Sequence, residues 1–244
     1  MKSLIRKSGK GKTMESARRR GISTYASSTL LGRSLNDIER KHAPSKLYVA
    51  GPMRIPLPRP RVAIVGSRQA TPEGLADAER ITRTLVEKNV VIVSGLAKGI
   101  DAAAHKAAIA AGGRTIAVLG TPLDRVYPQQ NTQLQDDIIR HHLAISQYEV
   151  GSTVTPSNFV LRNRTIALIS DASIIVQAGE SSGSLSQGWE ALRLGRPLFI
   201  WKPIFELSLI WPKEMVKFGA ITLSDPNDVL ENLPSAESVL TIRL

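Results

Sequence analysis

Residues 62–101 constrain the fold of this 244-residue chain more than any other stretch, because they hold two strand patterns around one helical pattern. Val62–Val65 and Val90–Val93 are short, apolar and mostly β-branched, which is typical of buried strands. Between them, residues 73–87 place apolar side chains close to a 3.6-residue period, which predicts an amphipathic helix. Two parallel strands joined in this way need a crossover connection. The stretch therefore predicts a β-α-β unit.

The same alternation continues along the chain. Further strands are predicted at 115–119, 143–146, 172–176 and 197–200, and further helices at 100–111, 132–142, 159–169 and 185–194. From about residue 205, the sequence predicts irregular structure with one or two short helices. Alternating strands and helices build α/β proteins with a parallel sheet. We therefore expect an α/β fold with an extended Rossmann-like, open and mainly parallel sheet that has helices on both faces.

The net charge of +11 is concentrated near the amino terminus. Residues 1–60 contain 14 Lys/Arg and 3 Asp/Glu, whereas residues 61–244 contain 18 of each. This distribution predicts a basic, disordered tail over 1–34, a lead-in over 35–60, a Rossmann-like domain over 61–233 and a short tail over 234–244. A basic tail suits nucleic acid or an anionic membrane surface, and it is equally consistent with a solvated extension that has no partner.

Several classes of function are disfavoured. The chain has no cysteine, which excludes disulfides and thiolate metal sites, and it lacks the run of about 18 apolar residues that spans a membrane. There is no secretory signal pattern, so we expect a cytoplasmic protein without membrane association. The turn Gly66-Ser67-Arg68 is neither a dinucleotide fingerprint nor a Walker A loop, and no ribose-binding acid ends the second strand. No cofactor and no metal are expected.

Polar turns follow several of the predicted strands. Because the carboxyl ends of parallel strands lie at one edge of a sheet, these turns should converge there, and their N–H groups, hydroxyls and cations suit a phosphate. The candidate binding residues are Gly66, Ser67, Arg68, Ser94, Gly95, Lys98, Gly99, Phe159, Arg162, Asn163, Arg164, Ser182, Gly183 and Ser184.

Individual residues in these turns have more than one interpretation. Asp101 is best explained as an acid in the first turn of a helix, and an acid–base or metal pair with His105 is the less favoured alternative. One of the cations Arg162 and Arg164 is expected to face the strand edge, and the other a structural carboxylate or a second subunit. Aromatic rings near the loops, among them Tyr127, either stack on bases or pack loops onto the sheet.

Taken in order, the motifs resemble those of the DprA/Smf family of DNA-processing proteins. The matching segments, within residues 35–233, are VAIVGSR, VVIVSGLAKGIDAAAHKAAIAAGGRTIAVLG, LDRVYPQQN, SQYEVG, FVLRNRTIALIS and SGSL. The resemblance implies a non-enzymatic, single-stranded DNA-binding protein, usually a homodimer, that helps to load RecA during natural transformation. It also implies that residues 66–68 contact phosphate and that Phe159, just before the RNR motif, stacks on a base.

Two departures and one alternative accompany this resemblance. Residues 1–34 are too few and too polar for the family's N-terminal helical module, and no winged-helix pattern follows residue 233. The alternative is a nucleotide-binding or nucleotide-hydrolysing protein similar to the Lonely Guy phosphoribohydrolases. Those enzymes carry a catalytic Glu in a PGGxGTxxE-type loop, whereas no acid follows the turn at 181–184 until Glu190, which counts against hydrolysis.

Overall fold

The computed structural model describes residues 21–233, so the predictions for residues 1–20 and 234–244 lie outside the described residues. The strands are β1 (Ser23–Tyr25), β2 (Leu47–Ala50), β3 (Arg61–Gly66), β4 (Val91–Ser94), β5 (Thr115–Leu119), β6 (Leu143–Ser146), β7 (Ala172–Gln177), β8 (Leu198–Trp201) and β9 (Ile221–Leu223). The helices are α1 (Ser27–Leu31), α2 (Asp37–Arg40), α3 (Pro72–Glu87), α4 (Ile100–Ala110), α5 (Thr132–His141), α6 (Pro156–Ile169), α7 (Ser184–Arg193), α8 (Trp211–Lys217) and α9 (Asp228–Glu231).

Within residues 21–233 the strands form one nine-stranded sheet in the order β1-β2-β6-β5-β4-β3-β7-β8-β9. β2 is antiparallel to both of its neighbours, and the other neighbouring pairs are parallel. The predicted α/β class with a mainly parallel, Rossmann-like sheet is confirmed.

The two faces of the sheet bury alternate residues of the same strands. On β3, Val62 and Ile64 join a core with α3 and α4, whereas Ala63 joins a second core with α6 and α1. Because side chains alternate along a strand, a parallel strand covered on both faces needs apolar residues on both, as Val62–Val65 provide here. The helices therefore cover both faces of the sheet. No helix within residues 21–233 is long and apolar enough to cross a bilayer.

The connectivity changes direction at β3. From β3 the chain steps through β4, β5 and β6 on one side, and later through β7, β8 and β9 on the other. In open α/β sheets this arrangement leaves a crevice beyond the carboxyl ends of the two strands at the switch, which is where ligands bind. The crevice lies between the turns that follow β3 and β7.

The predicted disordered tail is wrong for residues 23–31, which form β1 and α1. β1 pairs with β2, and Leu30 and Leu31 are buried in the core under the sheet. Gly32 ends α1 in the left-handed conformation, at a φ of 67°. These elements are too short to show a periodic pattern in the sequence, and their stability comes from packing on the sheet.

The lead-in contains a short helix, α2, which begins at Asp37. Asn36 caps it, because its side chain accepts from Glu39 N and the Glu39 side chain accepts from Asn36 N. Beyond residue 205, where the sequence predicts irregular structure, the chain forms the short strand β9.

His105 on α4 is a structural residue. Its side chain is fully buried, and Nδ1 lies 2.7 Å from the hydroxyl of Thr115, which itself donates to the carbonyl of Ile92. Within residues 21–233, no three His, Cys, Asp or Glu side chains are grouped as metal ligands. The metal-pair alternative for Asp101 and His105 therefore has no support.

We expect His105 to make stability depend on pH. Burial lowers the pKa of His105 to about 3 from its ordinary value of 6.5, so the unfolded chain binds more protons between these values. Stability should be full above pH 6.5 and should fall as the pH decreases, by about 2 kcal/mol from this group between pH 7 and pH 5. Urea unfolding of His105→Asn should lose that part of the pH dependence, and the exposed His141→Asn should retain it. An unchanged slope in His105→Asn would contradict this assignment.

Candidate functional site

The first turn of the site, residues 66–68, is locked to its neighbours by backbone bonds. Ser67 N donates to Gln177 O at 2.6 Å, and Ser67 O accepts from Ile100 N at 3.2 Å. Gly66 has no room for a side chain, since a Cβ there would lie 2.6 Å from Ile100 Cγ1. The turn therefore joins the ends of β3 and β7 to the start of α4, and its last residue, Arg68, is exposed to solvent.

The second turn, residues 94–101, is organised by Asp101. This carboxylate is almost fully buried, and Oδ2 accepts from Gly95 N at 3.1 Å and from Ala97 N at 3.4 Å. Burial raises its pKa, while the charge of Arg162 and the backbone N–H groups, including that of Gly66, act in the opposite direction. Asp101 therefore gathers the turns after β3 and β4.

Two other predicted binding residues of this turn differ in their exposure to solvent. Lys98 is exposed at the edge, as a ligand-facing cation should be. Ser94 is fully buried and donates its hydroxyl to Ile64 O at 2.6 Å. Ser94 thus holds β4 to β3, and the structure does not bring its hydroxyl to the ligand side.

The RNR motif on α6 contributes three different contacts. Arg162 is buried and donates through Nη1 to Gly95 O and, at 2.7 Å, to Val118 O. Burial lowers its pKa, although the nearby Asp101 raises it. A Cβ on Gly95 would lie 1.8 Å from this nitrogen, so only glycine permits the approach. Arg162 is therefore a positioning residue for the ends of β4 and β5.

The other two residues of the motif face α7. Asn163 Nδ2 donates to Gly183 O at 3.0 Å and to Ser186 Oγ at 2.7 Å, which holds the third polar turn in place. Arg164 Nε lies 3.1 Å from Glu190 Oε1 and lines neither of the cavities described below. Arg164 is thus the cation that faces a structural carboxylate, and it does not join the site.

Two adjoining cavities occupy this edge. The polar cavity, of about 470 Å³, lies between the turns at 66–68 and 181–184, and its outer wall includes Val160. Ser182 Oγ and Ser184 Oγ lie 2.7 Å apart on the third turn. The aromatic cavity, of about 240 Å³, is lined by Lys98, Leu119, Gly120, Tyr127 and Pro128 among others. Arg68, Phe159 and Arg162 line both cavities.

The linings combine cations with aromatic rings. Their charged residues are Arg68, Lys98, Arg162 and the buried Asp101, so positive charge is in excess. The Arg68 guanidinium lies 5.8 Å from the centroid of the Phe159 ring, and this ring is 5.0 Å from that of Tyr127. Such an edge suits a ligand that carries both an anionic group and a flat ring.

Sequence reasoning did not assign a role to Asn131. Its buried Nδ2 donates to Leu96 O at 2.9 Å and to Ala97 O at 3.3 Å, which supports the second turn in addition to Asp101. Asn131 is the last residue of the quoted LDRVYPQQN motif, which was the available signal.

We expect Asp101→Asn to destabilise the fold by about 3 kcal/mol, because it removes the charged acceptor of buried N–H groups and leaves the charge of Arg162 uncompensated. Urea unfolding measures the loss, and Glu149→Gln, at an exposed carboxylate, is the matched control. If the two variants were equally stable, Asp101 would not have the organising role assigned to it.

Comparisons with known proteins identify the family to which this chain belongs. The family model for DNA recombination-mediator protein A matches residues 24–234. DNA processing protein DprA of Bacillus subtilis is 35% identical over 192 residues, covering 78% of this chain and 65% of that protein. The X-ray structure of Streptococcus pneumoniae DprA has a TM-score of 0.74 at 34% identity and covers 90% of this chain and 77% of that one.

A second similar structure is that of Helicobacter pylori DprA, which describes the unique single-stranded DNA binding mode of that protein. It has a TM-score of 0.72 at 30% identity and covers 87% of this chain and 97% of that one. The present chain spans between about half and two thirds of the curated relatives from Bacillus subtilis and Streptococcus pneumoniae. The resemblance noted in the sequence is confirmed: the chain belongs to the DNA recombination-mediator protein A family, the DprA/Smf proteins.

Proposed function

We propose that this protein is a non-enzymatic single-stranded DNA-binding protein of DprA/Smf type, which acts in natural transformation and homologous recombination by helping RecA to load. The observation that carries the proposal is the cation-rich edge at the switch point, where a polar cavity adjoins an aromatic one. In this proposal Ser67, Arg68 and the turn at 182–184 contact phosphates. The single-stranded DNA binding of the Helicobacter pylori relative supports the same ligand class.

The aromatic cavity favours single strands over duplexes. In a duplex the bases are stacked on one another, whereas in a single strand they are free to leave the stack and lie against aromatic rings. Phe159 and Tyr127 offer such rings beside the cations Arg68 and Lys98. RecA is the proposed recipient of the bound strand, on the strength of the family resemblance.

The lining residues offer little for hydrolysis. The carboxylate among them, Asp101, is buried and already accepts backbone N–H groups, so it is poorly placed to act as a base. The hydroxyls of Ser182 and Ser184 bond to each other, and no histidine among residues 21–233 lines either cavity. The nucleotide-hydrolysing alternative is therefore not favoured.

We expect binding to oligothymidylate to weaken as salt rises, and Arg68→Ala to weaken it by about tenfold or more, because one phosphate contact is lost. Fluorescence anisotropy over a salt series should also show a slope smaller by about one in the variant. Arg140→Ala, at an exposed cation of α5 outside both cavities, is the control. Unchanged affinity in Arg68→Ala would exclude this edge as the DNA site.

We also infer a homodimer, supported by an apolar patch at the β9 side of the fold. Trp189 and Phe218 are exposed and meet edge to face, with ring centroids 5.3 Å apart. Ile210 is 70% exposed and Phe218 67%, and contiguous exposed apolar surface marks protein–protein contacts. Leu207, Val216 and Ile221 are further exposed apolar residues of the same stretch of chain.

We expect Phe218→Asp to convert the dimer into monomers, because it puts a charge into the apolar contact. Sedimentation equilibrium measures the mass, and Ile38→Asp, at an exposed apolar residue of α2, is the control. A Phe218→Asp variant that remains dimeric would place the interface elsewhere.

A further inference from the structure

Tyr127 is an exposed aromatic residue at the mouth of the aromatic cavity. Its side chain is 52% exposed, and its ring packs on that of Phe159 at 5.0 Å with a tilt of 47°. Leu119 and Pro128 line the same cavity. The half-exposed Tyr127 ring beside this cavity is therefore available to contact a ligand that enters it.

Phe159, by contrast, already has neighbours around its ring. The Arg68 guanidinium lies 5.8 Å from its centroid, and Tyr127 lies against it. Gly120 is in direct contact, since a Cβ there would lie 2.5 Å from Phe159 Cδ1. Phe159 is therefore placed to support Tyr127, whose ring has the larger exposed surface.

The loop that carries Tyr127 is held in place from both ends. Before it, the carbonyl of Arg125 accepts from Thr121 Oγ1 at 3.2 Å and from Gln135 Nε2 at 3.0 Å. After it, buried Asn131 donates to the carbonyls of the second turn. The ring is thus presented with little freedom to lose on binding, which is the condition under which an aromatic contact contributes most to affinity.

From these contacts we infer that Tyr127 is a stacking platform for a base of the bound strand, and that Phe159 supports it. A base on Tyr127 adjoins the tilted pair of rings that Tyr127 and Phe159 form, and Lys98, which lines the same cavity, is available to attract the adjoining phosphate. This inference rests on the proposed single-stranded DNA function and adds a base subsite to it.

The test is binding of the full chain to labelled oligothymidylate over a salt series, together with fluorescence of strands that carry one 2-aminopurine. Tyr127→Ala should weaken binding about tenfold with an unchanged salt slope, because stacking releases no counterions. Tyr127→Phe should bind as the native protein does, and Tyr127→Leu, which keeps apolar bulk without the π face, should bind as weakly as Tyr127→Ala. Gln130→Ala, at an exposed residue of the same loop, is the control. Native protein and Tyr127→Phe should quench the 2-aminopurine, and Tyr127→Leu should not.

The outcomes separate the subsite from the function on which it rests. No salt-dependent binding by the native protein would overturn both. If the native protein binds normally but Tyr127→Leu keeps full affinity, Tyr127 is not the platform. The same holds if quenching is lost only in Phe159→Leu. In both cases the DNA-binding proposal stands. Equal thermal stability of the Leu and Phe variants excludes a folding defect as the cause of a loss.

Discussion

Two buried charges, Asp101 and Arg162, hold the carboxyl edge of the sheet together through the backbone of Gly95. Asp101 accepts from Gly95 N, and Arg162 donates to Gly95 O, so one peptide segment is held from both sides. Through its other bonds, Arg162 also reaches Val118 at the end of β5. Burying charges is expensive, and here the cost is offset by hydrogen bonds to backbone groups at the carboxyl ends of the strands. The shape of both cavities depends on this arrangement.

The same pair explains how a carboxylate can sit in an anion site. Asp101 accepts backbone N–H groups and lies near the charge of Arg162, so its negative charge is compensated inside the protein. The exposed cations Arg68 and Lys98 are then left to attract a ligand. The buried cation Arg162 thus positions the turns, and the exposed cations Arg68 and Lys98 attract the ligand. The sequence alone does not distinguish buried cations from exposed ones.

Much of the fold could be predicted from the sequence, because the parallel strands are short β-branched runs and most turns are marked by Gly and Ser. The helix and strand patterns from residue 61 to residue 201 agree with the structure to within a few residues. Side-chain direction could be predicted only in part: one of the two arginines Arg162 and Arg164 was expected to face a structural carboxylate or a second subunit, but the sequence does not say which. Ser94, Arg162 and Arg164 all have side chains that could contact a ligand. In the folded protein, however, Ser94 bonds to a backbone carbonyl, Arg162 bonds to the backbone at two strand ends, and Arg164 pairs with Glu190. β1 and α1 were missed since their stability comes from the sheet and not from a local pattern.

We propose that a single DNA strand binds across the switch point between β3 and β7. A crystal structure of the protein with a short oligothymidylate tests this binding mode. We expect a phosphate between the turn at 66–68 and the turn at 182–184, with a base in the aromatic cavity. A strand bound on the β9 side of the fold, with both cavities empty, would contradict it.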